Sequence, residues 1–304
     1  MASKRKRRRP VSPAQPMETP TGSPSSWRAR LGELHPRRFF VETWDAADRR
    51  SEEARRARRA QGLGPDWRPF AVLALGAVVL TVLEYWGDSP TFVALARRWA
   101  ADDPEWRAIL ESRDAAFYSK LWWAAFRFGG YFVVPALFVK FVLREDLRDH
   151  GLRLSGVRDH LWIYGLATAF VLVLVFVVSF DESFQRKYPM YAFAGRSWSD
   201  LLAWEAMYAV QFFSLEFFFR GTWLKSLEPA MGGHAISAMV VPYCMIHFGK
   251  PWPETLAAIV AGLVLGTLAL KSRSIWAGFL VHVTVAVSMD LAALMQTTGL
   301  PRAW

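Results

Sequence analysis

The feature that most constrains this chain is the run LWIYGLATAFVLVLVFVVSF at residues 161–180, which holds no charged side chain before Asp181. At 1.5 Å per residue such a run makes a helix about 30 Å long, the thickness of a bilayer's hydrocarbon core. In hydrocarbon every backbone N–H and C=O must be paired within the protein, so a run of this kind is a membrane-spanning helix. Six further apolar segments lie near the same length, at residues 69–87, 117–143, 200–224, 233–249, 254–270 and 274–297. The fold class follows as all-α, a multi-pass transmembrane bundle of about seven spans, within a range of six to eight. In the sixth segment Ala258, Gly262 and Gly266 recur every fourth residue, the spacing that lets two helix backbones approach closely.

The charge is segregated from the oil. The chain is 53% hydrophobic and carries a net charge of +10, and residues 1–68 hold 17 Lys/Arg against 8 Asp/Glu. Residues 1–66 therefore read as a basic, largely disordered tail, and residues 67–304 as the membrane domain. The basic run at residues 4–9 has no interleaved aromatics and no nucleic-acid-binding motif beside it, which argues against a nucleic-acid partner and for attraction to anionic lipid headgroups. The Pro, Ser and Thr of residues 12–26 cannot bury enough apolar surface to order themselves. Residues 40–60, with Glu52 and Arg56 at helical spacing, suit a short charged surface helix. Nothing in the first 60 residues has the apolar core of a signal peptide, so the tail is expected to be retained. By the positive-inside rule the tail and the Arg-rich loop at 144–159 face the cytoplasm and the segment at 88–116 is an external loop; the absence of Asn and the excess of Arg over Lys fit a GC-rich bacterial source, and so a bacterial inner membrane is expected. A single cysteine, Cys244, excludes an internal disulfide and Cys-rich metal sites.

Ionisable groups inside the bilayer cost several kcal/mol unless paired or hydrated, which makes each a candidate for function. They are Arg127, Glu205, Glu216, Arg220, His247, His282 and Asp290, with Glu84, Lys140 and Glu254 near span ends. Counted along their helices from the cytoplasmic side, Glu216, His247 and His282 lie about 16, 21 and 12 Å deep. A carboxylate and two imidazoles thus share one mid-membrane layer. Taken singly, each is more often a packing residue; at matching depth they suit acid–base activation of water. Two His and one Glu also make a three-ligand zinc site with an open position. Serine chemistry has no support, because Ser214 and Ser288 lack a nucleophile-elbow context, and the chain contains no HExxH, GxGD or GxSG.

The order Glu216-Phe-Phe-Phe-Arg220, Tyr243-x-x-x-His247 and then His282, each on its own span, resembles the CAAX-protease and bacteriocin-processing family of intramembrane endopeptidases, in its bacterial branch. The resemblance covers about residues 200–290. The family's motifs read Glu-Glu-x-x-x-Arg, Phe-x-x-x-His and His-x-x-x-Asn. Here Leu215 stands in the first Glu position, Tyr243 replaces the Phe, and Ala286 stands where the Asn would be; the chain has no Asn at all. The resemblance implies hydrolysis of a peptide bond in a membrane-associated protein substrate, with Glu216, His247 and His282 catalytic and Arg220 and Tyr243 supporting. Glu216 would activate the water, His247 orient it, and His282 stabilise the oxyanion, with Gln211 or Thr284 as replacement donors for the missing Asn. It implies no cofactor, with zinc on Glu216, His247 and His282 as the alternative. The expected partners are a membrane-anchored protein or peptide and the bilayer itself. Two rival readings stand beside this: a non-catalytic scaffold or immunity-type protein of the same fold, for which Leu215 and Ala286 speak, and an ion-coupled transporter using Arg127, Glu205 and Asp290.

Overall fold

The computed structural model describes residues 27–112 and 114–304, and among these every regular element is a helix. The basic run at 4–9 and the Pro/Ser/Thr-rich stretch at 12–26 lie outside the described residues. Helix α1 (Trp27–Glu33) leads through a wide π turn (Arg37–Val41) into α2 (Glu42–Ala60). The membrane part begins with α3 (Arg68–Tyr85). Next come the short α4 (Ser89–Ala100) and α5 (Pro104–Glu111), the long α6 (Ala115–Leu143), α7 (Val157–Val178) and the short α8 (Glu182–Lys187). The last part holds α9 (Trp198–Glu216), α10 (Leu224–Met231), α11 (His234–Met245), α12 (Trp252–Ser272) and α13 (Trp276–Gln296).

Five of these, α3, α6, α7, α12 and α13, are long and apolar enough to cross a membrane, and the chain is an integral membrane protein. They match five of the segments expected from sequence. The other two are the ones that carry the site. The fourth segment forms α9, runs on through a π-helical stretch (Phe217–Trp223) and ends in α10; it carries Glu205, Glu216, Arg220, Lys225 and Glu228, so it is not uniformly apolar. The fifth, α11, has 12 residues, about 18 Å of helix. It stops at Met245 because Pro242 withdraws an N–H from its last turn and Gly249 (φ 81°) and Pro251 turn the chain. His247 therefore lies in a turn rather than inside a helix.

The packing follows the small residues. A Cβ on Gly262 would approach Val240 and Tyr243 at 3.0 and 3.2 Å, and one on Gly266 would approach Met239 at 3.0 Å, so the glycine stripe of α12 seats α11 and fixes Tyr243. Helix α13 packs on α7 and on α9, and α6 covers another face of α9. The core joins Leu215, Phe218 and Phe219 to Tyr131, Leu83, Met239 and Tyr243.

Two expectations need correction. The segment at 88–116 is not an open loop: Asp88 and Asp103 accept from the N–H groups of Thr91 and Glu105, and with Pro90 and Pro104 in the first turns they start α4 and α5. Nor is the tail disordered up to residue 66. Helix α2 forms where a surface helix was expected, with the Glu52–Arg56 pair at 3.0 Å on its exposed side, but its inner side docks on α10. Trp44 Nε1 donates to Thr267 Oγ1 (3.1 Å), Asp48 Oδ1 accepts from Gly233 N–H (2.8 Å), and Arg50 pairs with Glu228 (2.7 Å). Its short Ala47 and Ser51 side chains, both fully buried, allow that close approach.

Candidate active site

The site is built at the end of α9. There the backbone changes from α to π geometry directly after Glu216, adding a residue to each turn and re-aiming the side chains that follow. Gly221 in the wide turns permits the approach of the loop before α7: a Cβ there would lie 2.6 Å from the His150 carbonyl oxygen. His150 is fully buried beneath the π stretch, with Nδ1 3.2 Å from Gly221 O and Nε2 2.8 Å from Glu145. In that loop the His150 hydrogen bond holds the Glu145 carboxyl below the usual carboxylate range, against the opposing effect of its partial burial.

Glu216 (1% exposed) and Arg220 (3%) form an ion pair, Arg220 Nη1 to Glu216 Oε1 at 3.1 Å. The distance is that of an ion pair, while the angles are not those of a hydrogen bond, and among the described residues no acceptor lies in line with any Arg220 N–H. The same Oε1 lies 3.2 Å from His282 Nδ1, which is also 3.1 Å from the carbonyl of Gly278. Both neighbours of Nδ1 are acceptors, so Nδ1 carries the proton, and Nε2 accepts from the Tyr243 hydroxyl at 2.9 Å. Arg220 lies 4.1 Å from the centre of the Tyr243 ring, a cation–π contact that closes the circle. Phe212 stacks on His282 at 5.3 Å. Three helices and one π stretch thus bring together a closed set of four: Glu216, Arg220, Tyr243 and His282.

His247 is next to this set without joining it. Its Nδ1 donates to the Tyr243 carbonyl (2.7 Å), its ring meets the Tyr243 ring edge-on at 5.0 Å, and its carbonyl accepts from Thr255 Oγ1 (2.9 Å). No ion pair joins it to Glu216, because Tyr243 stands between. Among the described residues no three His, Cys, Asp or Glu side chains gather at metal-ligand spacing, so Glu216, His247 and His282 as placed do not fit zinc.

Glu216 has a further neighbour that sequence reasoning missed. A Cβ at Gly278 would come within 2.5 Å of Glu216 Oε2, and the Gly278 carbonyl receives the His282 hydrogen bond. Its only sequence signal is its place one turn before His282. The positions that depart from the family motifs are both buried in apolar surroundings, Leu215 with Phe218 and Tyr243, and Ala286 with Trp204 and Tyr208. Of the suggested replacement donors, Gln211 is buried with its Oε1 unpartnered, whereas Thr284 is exposed on the outside of the bundle. The remaining intramembrane charges lie elsewhere. Arg127 donates to the Tyr131 hydroxyl (3.2 Å), Asp290 accepts from Trp204 Nε1 (2.6 Å), and Glu254 accepts from Tyr188 and Lys250. Cys244 is a free thiol with a weak contact to the Thr255 carbonyl.

Comparison with known proteins agrees with the motif order. Residues 197–288, from the start of α9 to beyond His282, match the family model described as type II CAAX prenyl endopeptidase Rce1-like. No curated protein and no solved structure matches the chain. The matched span contains Glu216, Arg220, Tyr243, His247, Gly278 and His282, and over these residues the chain is similar to that family.

Proposed function

We propose that the chain is an intramembrane endopeptidase acting on a membrane-associated protein, and that His282, backed by Glu216, activates the attacking water. One observation carries this: the chain Glu216 Oε1, His282 and Tyr243 OH, joined at 3.2 and 2.9 Å and bounded by Arg220. Glu216 is enclosed by Arg220, His282 and Gly278 and offers no open face to water, whereas the His282 side chain is 14% exposed. A water that takes the place of the Tyr243 hydroxyl at His282 Nε2 gives its proton to that nitrogen and attacks the scissile carbonyl, which frees the Tyr243 O–H to donate to the oxyanion. Glu216 stabilises the imidazolium that forms, as a buried carboxylate does for a general-base histidine. The Tyr243 hydroxyl and His247 Nε2–H are the donors nearest to the developing oxyanion. His282 then returns the proton to the leaving amine. In this reading Glu216 is a positioning and charge-stabilising residue, and His282 takes the part of the base.

The test uses the protein purified in detergent with candidate membrane-anchored substrates. Cleavage is expected from wild type and lost in His282→Ala and Glu216→Gln, with folding checked by circular dichroism. Equal cleavage by wild type and His282→Ala refutes the assignment. A chelator is expected to leave the rate unchanged; loss of activity restored by zinc would favour a metal site instead. A second reading, a scaffold or immunity-type protein of the same fold, is favoured by the apolar burial of Leu215 and Ala286. It wins if His282→Ala retains the full biological phenotype of the wild-type chain.

A further inference from the structure

Beside Arg220, between α10 and the turn that joins α12 to α13, lies a small cavity of about 20 Å³, room for one water-sized body. Its walls come from four separate parts of the chain. Arg220 and Lys225 project from the π stretch and α10, Arg273 and Ser274 from the turn between α12 and α13, and Asp149 and Gly151 from the loop before α7.

The charges around it do not balance. Arg220 pairs with Glu216, and Asp149 with Arg153 at 2.6 Å. Glu228 serves two cations at once, Arg273 (3.0 Å from Nη2) and Arg50 (2.7 Å). Lys225 has no ion pair or hydrogen bond among the described residues. The cavity region therefore carries two positive charges in excess, at Lys225 and in the shared Arg50–Glu228–Arg273 group. Donors are also unspent. Arg220 is almost wholly buried, and none of its N–H groups has an aligned acceptor. Ser274 Oγ accepts from Trp276 N–H (3.3 Å), which leaves its own hydrogen to donate. Glu216 balances the charge of Arg220 without an aligned hydrogen bond, so the N–H donors of the guanidinium stay open to a further acceptor.

We propose that this cavity binds one small inorganic anion of chloride size, held by Lys225, Arg273, the Arg220 guanidinium and Ser274. Its volume admits a single halide ion. Bound there, the anion shares Arg220 with Glu216 and so sets how firmly Arg220 holds the carboxylate behind His282. The site rests on charge and volume and stands whether or not the chain cleaves peptides.

Thermal unfolding of the full chain in detergent micelles tests it, at constant ionic strength, in potassium chloride, bromide, sulfate or gluconate. Chloride and bromide are expected to raise the midpoint in a saturable way, while sulfate and gluconate do not. Lys225→Gln is expected to raise the half-saturating chloride concentration about tenfold, the loss of one charge-assisted bond, and Lys225→Arg to keep the wild-type value. Equal midpoints in all four salts, or an unchanged chloride response in Lys225→Gln, overturn the proposal. If Lys225→Gln does not fold, bromide-soaked wild-type crystals decide. An anomalous peak in this cavity supports the site, and an empty cavity at saturating bromide overturns it.

Discussion

Two buried carboxylate centres in this membrane domain use the same chemical group to opposite ends. At the inner centre Glu216 is packed against Arg220, His282 and Gly278, and a Tyr hydroxyl completes the chain. At the outer one, Asp290 is fully buried with one oxygen bonded to Trp204 and the other unpartnered. Glu205, on the same helix as Glu216, has both oxygens shut from solvent with no hydrogen-bond partner among the described residues. Lys120 sits 5.7 Å from the centre of the Trp204 ring. The inner carboxylate has a cation, a polarised histidine and a fixed orientation. The outer pair has burial and a single tryptophan N–H. What separates a working group from a tolerated one is the partner set, because a desolvated charge is useful only where the surroundings are already arranged to receive it.

The comparison can be broken first at Glu216. Glu216→Gln leaves Arg220 as an uncompensated buried charge, so a loss of about 3–5 kcal/mol in unfolding free energy is expected, read by denaturation in detergent. A loss below about 1 kcal/mol would mean that the pair is not held as described. Next in size is Gly278→Ala, whose methyl must displace Glu216; about 1–3 kcal/mol of destabilisation is expected, together with slower cleavage. Gly165→Ala, on an open face of α7 with nothing within 4 Å, is the control and is expected to be neutral or slightly stabilising. Tyr243→Phe takes the donor from His282 and is expected to cost about 0.5–1.5 kcal/mol in stability and to slow cleavage by about tenfold or more. The smallest effect belongs to the outer layer. Glu205→Leu removes an unpartnered buried carboxyl and is expected to leave cleavage unchanged and to gain up to about 1 kcal/mol in thermal-unfolding measurements. Destabilisation by that variant would show a partner for Glu205 and erase the contrast.

The sequence made some of this legible through patterns that obey one physical rule each. The uncharged run at 161–180 identified α7 by length alone, and the four-residue spacing of Ala258, Gly262 and Gly266 marked the face that seats α11. Counting depth along helices brought Glu216 and His282 to one layer, and they do meet. The count took α11 to continue past Met245, whereas Gly249 and Pro251 turn the chain there, and His247 comes to lie in a turn against the Tyr243 ring. The π stretch after Glu216 left no periodic trace, because Phe-Phe-Phe is apolar on every face and reads alike in either helix type. Gly278 was hidden for a related reason: a glycine in an apolar helix looks like packing until the neighbour it makes room for is known. The docking of α2 was legible only as an amphipathic charge pattern. That pattern shows which side faces water and not that Asp48 and Arg50 find partners near residue 230.

The most direct measurement compares protein termini in membranes of cells that carry the wild-type chain, the Glu216→Gln variant or no copy at all. The expected result is a set of cleaved membrane proteins present with the wild type and absent from both other samples. The same cleavage products in the Glu216→Gln cells as in the wild type would contradict the claim that the Glu216–His282 pair performs the reaction.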